Sequence, residues 1–186
     1  MKKLKTKKGF TLIEVMVSIT IFTLVLVSAT GLFTSSIKAQ RMVLAERVIL
    51  DESSYVMEYM GRAIRMAKKE LEAPTCLSAN GYNYEETRDG KGIKFKNYKE
   101  ECQEFFWDDT TNRLKEIKGG EEYFLTSANL EVISFNINLI GESQWDNNQP
   151  KATLFLKIKG TGEKAEQQPE ISIQTTISQR DLDIRK

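Results

Sequence analysis

The run FTLIEVMVSITIFTLVLVSATGLF, from Phe10 to Phe33, limits what this chain can fold into more than any other stretch. Only Thr11, Glu14, Ser18, Thr20, Thr23, Ser28, Thr30 and Gly31 interrupt its apolar residues. It meets the roughly 20 residues that a helix needs to cross the hydrocarbon core of a bilayer. Its hydroxyls suit lipid, because a helical Ser or Thr can bond back to its own backbone. The run also exceeds the h-region of a secretory signal, which is about 7–15 residues. Glu14 stands out. A carboxylate at the bilayer centre costs about 2.5–3.5 kcal/mol, and even nearer the cytoplasmic end of the span it needs a partner.

Charge orients this segment. Lys2, Lys3, Lys5, Lys7 and Lys8 precede it with no acid among them, the asymmetry of a cytoplasmic N-terminus. Over all 186 residues, 27 Lys and Arg nearly cancel 26 Asp and Glu, which argues against nucleic acid as a bulk electrostatic partner. The sequence has no histidine, which removes the commonest general base together with a leading metal ligand. Cys76 and Cys102 are its only cysteines and form no CxxC metal pair. They are either one disulfide of an exported domain or two unrelated buried thiols.

No proline precedes Pro74, so a helix is predicted to continue past the span and stop at Ala73-Pro74, with Gly31, Ser35-Ser36 and Gly61 as weak points. Beyond Lys38, Val48, Tyr55, Val56, Tyr59, Met60, Ala63, Ile64, Ala67 and Leu71 recur mostly at three- and four-residue steps. They form a predicted stripe for packing on a soluble domain. After Pro74 short apolar runs alternate with turn chemistry. Asp89-Gly90 precedes Ile93 and Phe95; Phe105 to Trp107 leads into Asp108 to Asn112; Leu114 and Ile117 precede Gly119-Gly120. The strongest predicted strand is Leu130 to Ile140, where Ile133, Phe135, Ile137 and Leu139 alternate with Ser134, Asn136 and Asn138. Ala152 to Ile158 and Ile171 to Ile177 repeat the signal across the Gly160 to Pro169 loop. The expected class is α+β, a long N-terminal helix packed on a C-terminal antiparallel sheet.

Other constellations have plainer readings. Asp108-Asp109 and Asp146-Asn147-Asn148 lack the spaced ligands and central glycine of a calcium loop and read as solvated turns. Gly90 and Gly92 in RDGKGIKF suit a hairpin, since a phosphate loop would need a Walker lysine followed by Ser or Thr. Arg62, Arg65, Lys68 and Lys69 read as the solvated end of a helix rather than a DNA patch. Phe105, Phe106 and Trp107 are either core or a contact surface, and aromatic clusters tend to be buried.

Gly9-Phe10-Thr11-Leu12-Ile13-Glu14, behind the lysines and ahead of the span, resembles the processing and assembly signal of type IV prepilins and type II secretion pseudopilins. The resemblance implies a pilin-like α+β fold in three parts. Residues 1–9 would be a basic leader removed by prepilin peptidase, 10–37 a transmembrane and assembly helix, and 38–186 an amphipathic helix with a soluble β-rich domain. It implies cleavage after Gly9, N-methylation of Phe10, and a role for Glu14 in filament assembly, paired with the amine of a neighbouring subunit.

The implied protein is a non-catalytic subunit with no cofactor, no metal and no nucleic acid. Its partners would be the prepilin peptidase, other pilin or pseudopilin subunits, and membrane lipid before assembly. Its place would be the cytoplasmic membrane, N-terminus inside and soluble part outside, and then the filament. ISIQTTISQRDL, from Ile171 to Leu182, resembles the final strand of J-type pseudopilins and related minor pilins, which implies a minor subunit with I- and K-type partners. Two alternatives are an enzyme or receptor on an uncleaved anchor, and a DNA-uptake pilin, which would need an exposed basic stripe.

Overall fold

The structure, a computed structural model, describes residues 9–71, 75–143, 145–146, 148–162 and 168–180. The five N-terminal lysines, the Ala73-Pro74 stop, Asn147, residues 163–167 of the last loop and Leu182 lie outside the described residues. One helix, α1 (Leu12–Arg65), opens the fold and runs through Gly31, Ser35-Ser36 and Gly61 without a break. The chain divides into two compact units, Met1–Arg41 and Met42–Lys186.

In the first unit the helix is apolar and exposed, with a mean hydropathy of 2.3 over its most apolar window, long enough to cross a membrane. Its hydroxyls turn inward. Ser18, Thr20, Ser28 and Thr34 donate to the carbonyls of Glu14, Met16, Leu24 and Thr30 at 2.7–2.9 Å. Thr23 and Thr30 do the same one step closer, to Thr20 and Val27. Each hydroxyl is thereby satisfied without water, as an apolar solvent demands.

The second unit builds a core from the rest of α1 and eight strands. These are β1 (Glu85–Thr87), β2 (Gly92–Lys96), β3 (Cys102–Asp108), β4 (Arg113–Lys118), β5 (Glu121–Phe124), β6 (Leu130–Ile140), β7 (Lys151–Gly160) and β8 (Glu170–Ser178). All pair antiparallel, in one sheet ordered β1-β2-β3-β4-β5 and another ordered β6-β7-β8. Turn chemistry sets the hairpins. Gly119 and Gly120, at φ 61° and 85°, form the two-residue link from β4 to β5, the conformation that matches strand twist. Arg88, Asp89 and Gly90 take left-handed φ angles between β1 and β2.

The core joins one face of α1 to both sheets. Ile49, Val56, Met57, Met60 and Ile64 pack with Ile93, Phe95, Phe105 and Leu114 of the first sheet and with Val132, Phe135, Leu154, Leu156, Ile158 and Ile177 of the second. Phe105 sits at the centre, its ring 5.5 Å from that of Phe95 and 5.9 Å from that of Tyr59. Phe106 is buried on the opposite face of β3, beneath the Arg88 guanidinium at 3.6 Å.

Three expectations are corrected. The helix ends at Arg65, well before Pro74, because its last carbonyls find partners distant in sequence. Ile64 O accepts from the Tyr84 hydroxyl (2.9 Å), Arg65 O from Arg180 N (2.8 Å), and Ala67 O from Gln179 Nε2 (2.6 Å). Sheet contacts supply the cap, so no proline is needed.

The core stripe is the expected one only in part: Val56, Met60, Ile64 and Ala67 are buried as predicted, with Tyr59 and Ala63 packed against them. Val48, Tyr55 and Leu71 are exposed, whereas Ile49, Ser53, Met57 and Gly61 are buried. Gly61 faces Ile177, whose side chain would lie 3.7 Å from a Cβ there, an ordinary van der Waals contact. Finally, Ile133 is exposed. A β-bulge between Val132 and Ser134 shifts the phase of β6, so that Leu130 and Val132 face the core before it and Phe135 and Ile137 after it.

A small polar network crosses the helix–sheet interface. Tyr59 donates to both oxygens of the buried Glu116, at 2.9 and 3.0 Å, and Gln103 Nε2 donates at 2.5 Å. Burial and the nearby Glu116 push the Tyr59 phenol up to about 12. Tyr59→Phe should cost about 1 kcal/mol, the net worth of one such hydrogen bond, measured by chemical denaturation of the full chain in micelles.

Candidate functional site

The N-terminal motif is built around a reciprocal cap. Thr11 precedes the first helical residue, Leu12, and Glu14 is the third residue of the helix. Thr11 N donates to Glu14 Oε2 at 3.0 Å, its hydroxyl donates to the same oxygen at 2.9 Å, and Glu14 N donates back to Thr11 Oγ1 at 3.4 Å. This is a capping box, in which two otherwise unpaired backbone donors are satisfied by the Thr and Glu side chains. The carboxylate lies at the positive end of the helix dipole. Both Thr11 donors converge on Oε2, and Oε1 accepts no hydrogen bond among the described residues. Gly9 and Phe10 precede the cap in non-helical backbone, and Phe10 is 85% exposed. Sequence reasoning reaches Glu14 but misses the cap it shares with Thr11, for which the T-x-x-E spacing is the signal.

The second constellation is the covalent one. A disulfide joins Cys76 to Cys102, with Cα atoms 5.3 Å apart, inside the range such bonds require. It closes a loop containing β1 and β2. Beneath it lies Glu70, wholly buried. The Glu70 carboxylate accepts from Cys76 N (3.1 Å), Leu77 N (3.4 Å), the Thr75 hydroxyl (3.3 Å) and Lys96 Nζ (3.4 Å). Its backbone holds the same loop a few residues further on, N donating to Tyr82 O and O accepting from Gly81 N. Burial alone would raise this carboxyl, but the two backbone donors and Lys96 outweigh it and hold it below the usual range. Sequence reasoning missed Glu70, because in KKELE it looks like one more charge on a solvated helix end.

The remaining candidates settle into structural roles. Asp108 caps its own turn, accepting from Thr110 and Thr111 and pairing with Lys115, which holds its carboxyl well below the usual range. Among the described residues no group of three or more His, Cys, Asp or Glu is placed to hold a metal ion. Arg62 pairs with Glu58 at 2.9 Å along the exposed helix and Lys68 with Glu100 at 2.9 Å. Trp107 is half-buried, with Lys91 Nζ 5.2 Å from its ring.

Residues 4–30 match a family model described as the prokaryotic N-terminal methylation motif. The match covers the basic flank, Gly9-Phe10, the Thr11–Glu14 cap and most of the apolar run, and it supports a type IV pilin-like precursor with a single-pass membrane anchor. No curated protein and no solved structure matches the chain.

Proposed function

We propose that the chain is the precursor of a filament subunit of the type IV pilus or type II secretion class. It is cut after Gly9 by a prepilin peptidase, methylated on the new Phe10 amine, and assembled through its N-terminal helix. The observation that carries this is the methylation motif at residues 4–30, set on a helix apolar and long enough to span a bilayer. The Thr11–Glu14 cap lies wholly on the mature side of such a cut and survives it. Glu14 Oε1 is then the acceptor for the Phe10 amine of a neighbouring subunit, in a low-dielectric setting where a paired charge is strongly favoured over an unpaired one. Methylation keeps the positive charge.

A second feature supports assembly through α1. The exposed residues Leu44, Val48 and Tyr55 fall on the helix face opposite the core stripe, a separate apolar row suited to another helix. The chain acts as a minor subunit, on the strength of its threonine-rich final strand β8 and its disulfide loop, with other pilin or pseudopilin subunits as neighbours. The test is mass spectrometry of the N-terminus from cells with and without the peptidase. A methylated Phe10 terminus is expected only when the peptidase is present; an intact leader in both sinks the reading.

A further inference from the structure

The outer face of the β6-β7-β8 sheet holds a groove used by neither the core nor the N-terminal motif. Thr153, Phe155 and Lys157 of β7 point outward between Ser134, Asn136 and Asn138 of β6 and Ser172, Gln174 and Thr176 of β8, as the strand register fixes. The groove has a volume of about 380 Å³ and is lined by Ser134, Phe155, Lys157, Ser172 and Gln174. Leu156 and Ile173, paired across β7 and β8 with side chains turned to the core, give it a backbone floor. The bulge at Ile133 helps to form it. With Ile133 looped out of register, Ser134 falls opposite Lys157 on the outer face instead of entering the core.

The chemistry of the lining restricts the occupant. Its polar groups are neutral hydroxyls and amides, each able to donate and accept. The side chains of Ser134, Asn136, Ser172 and Gln174 make no hydrogen bond within the protein among the described residues. The one cation of the lining, Lys157, is balanced by the carboxylate of Glu170 beside it, so the groove presents no net charge to a ligand. Among these groups stands an aromatic ring, Phe155, 40% exposed. Thr153 and Thr176 bond each other at 3.1 Å beside it and stiffen that edge. An extended peptide would be recognised by a strand edge rather than by this face.

We propose that this groove binds a neutral pyranose sugar. The C–H face of the ring lies on Phe155, and its hydroxyls exchange hydrogen bonds with Ser134 and Asn136 of β6 on one side and Ser172 and Gln174 of β8 on the other. β-Linked glucose and N-acetylglucosamine present the continuous apolar ring face that this stacking needs.

The test is an NMR titration of the ¹⁵N-labelled full chain in phosphocholine micelles, whose headgroups carry no sugar, with cellohexaose and separately with chitohexaose. Saturable shifts centred on Asn136, Phe155 and Gln174 are expected, with a millimolar dissociation constant that salt does not change. Phe155→Ala and Phe155→Leu should each weaken binding about tenfold, the scale of one lost aromatic contact. The leucine variant keeps apolar volume at an outward position, so it tests the planar ring without disturbing the core. Absence of saturable shifts with both sugars, loss of binding in salt, or wild-type affinity in Phe155→Leu overturns the proposal.

Discussion

Glu70→Gln is expected to destabilise the domain by about 3 kcal/mol, the scale of breaking a buried ion pair from one side. The carboxylate gathers two backbone N–H groups, a hydroxyl and an ammonium in a site closed to water. Glutamine offers one acceptor oxygen in place of two and points N–H bonds at groups that are themselves donors, leaving buried donors unpaired. The sign of the pH dependence follows. The folded-state carboxyl is held below its unfolded value, so its stabilisation is fully present above the unfolded value, near 4.3, and is lost as pH falls through the folded one. Denaturation of the wild type should therefore lose an acid-sensitive increment below about pH 4 that Glu70→Gln lacks. Equal pH profiles for the two proteins would remove Glu70 from this role.

The same contacts couple Glu70 to the disulfide. Its carboxylate fixes Cys76 N while its backbone fixes Gly81 and Tyr82, so the first segment of the loop is held in place with or without the covalent bond. Cys102 stands at the start of β3, paired in register with Lys96, whose ammonium reaches Glu70. Glu70→Gln should accordingly make Cys76–Cys102 easier to reduce against glutathione, since the reduced loop is less held in the bonding geometry.

Long-period patterns in the sequence gave the class of the fold; contacts between distant segments gave the rest. Strands β2, β6, β7 and β8 follow from alternation between turn residues, because a period of two survives in the sequence whenever one face is buried; β3 and β4 show only as short apolar stretches between turns, since β3 buries Phe105 and Phe106 on opposite faces and β4 buries Glu116 beside Leu114. β1 and β5 carry no such signal: three and four residues long, exposed or half-exposed, they are held by neighbours rather than by burial. The helix stripe was legible in period and, from Val56 to Ala67, in phase, but its margins were not. Leu44, Val48 and Tyr55 make one apolar row and Ile49, Val56, Met60 and Ile64 another, and hydropathy cannot say which row a sheet will cover. Glu70 was hidden for a related reason, since its burial depends on the helix ending at Arg65, which Arg180 and Gln179 bring about from the far end of the chain. The N-terminal motif needed no such contacts, because its chemistry lies within six consecutive residues.

Glu14→Gln should leave cleavage after Gly9 and the helix start intact yet abolish incorporation into filaments. Two roles for this residue are separable by that one substitution. As the third helical residue, glutamine serves in a capping box about as glutamate does, so the Thr11 N–H and hydroxyl keep an acceptor. Glutamine has no charge to offer an ammonium. If Glu14 only caps its helix, Gln should assemble like wild type and Ala should fail; if it pairs with the Phe10 amine of a neighbour, both should fail. The measurement is the amount of chain recovered in sheared filaments relative to membranes, with the N-terminal mass confirming cleavage in each variant. A low dielectric sharpens the contrast, because a neighbour's ammonium buried against a neutral amide keeps most of its desolvation cost with little of the attraction that offsets it. Thr11→Val completes the comparison. It removes the hydroxyl from the cap but leaves the charge, so the pairing hypothesis expects weakened yet measurable incorporation, above that of Glu14→Gln.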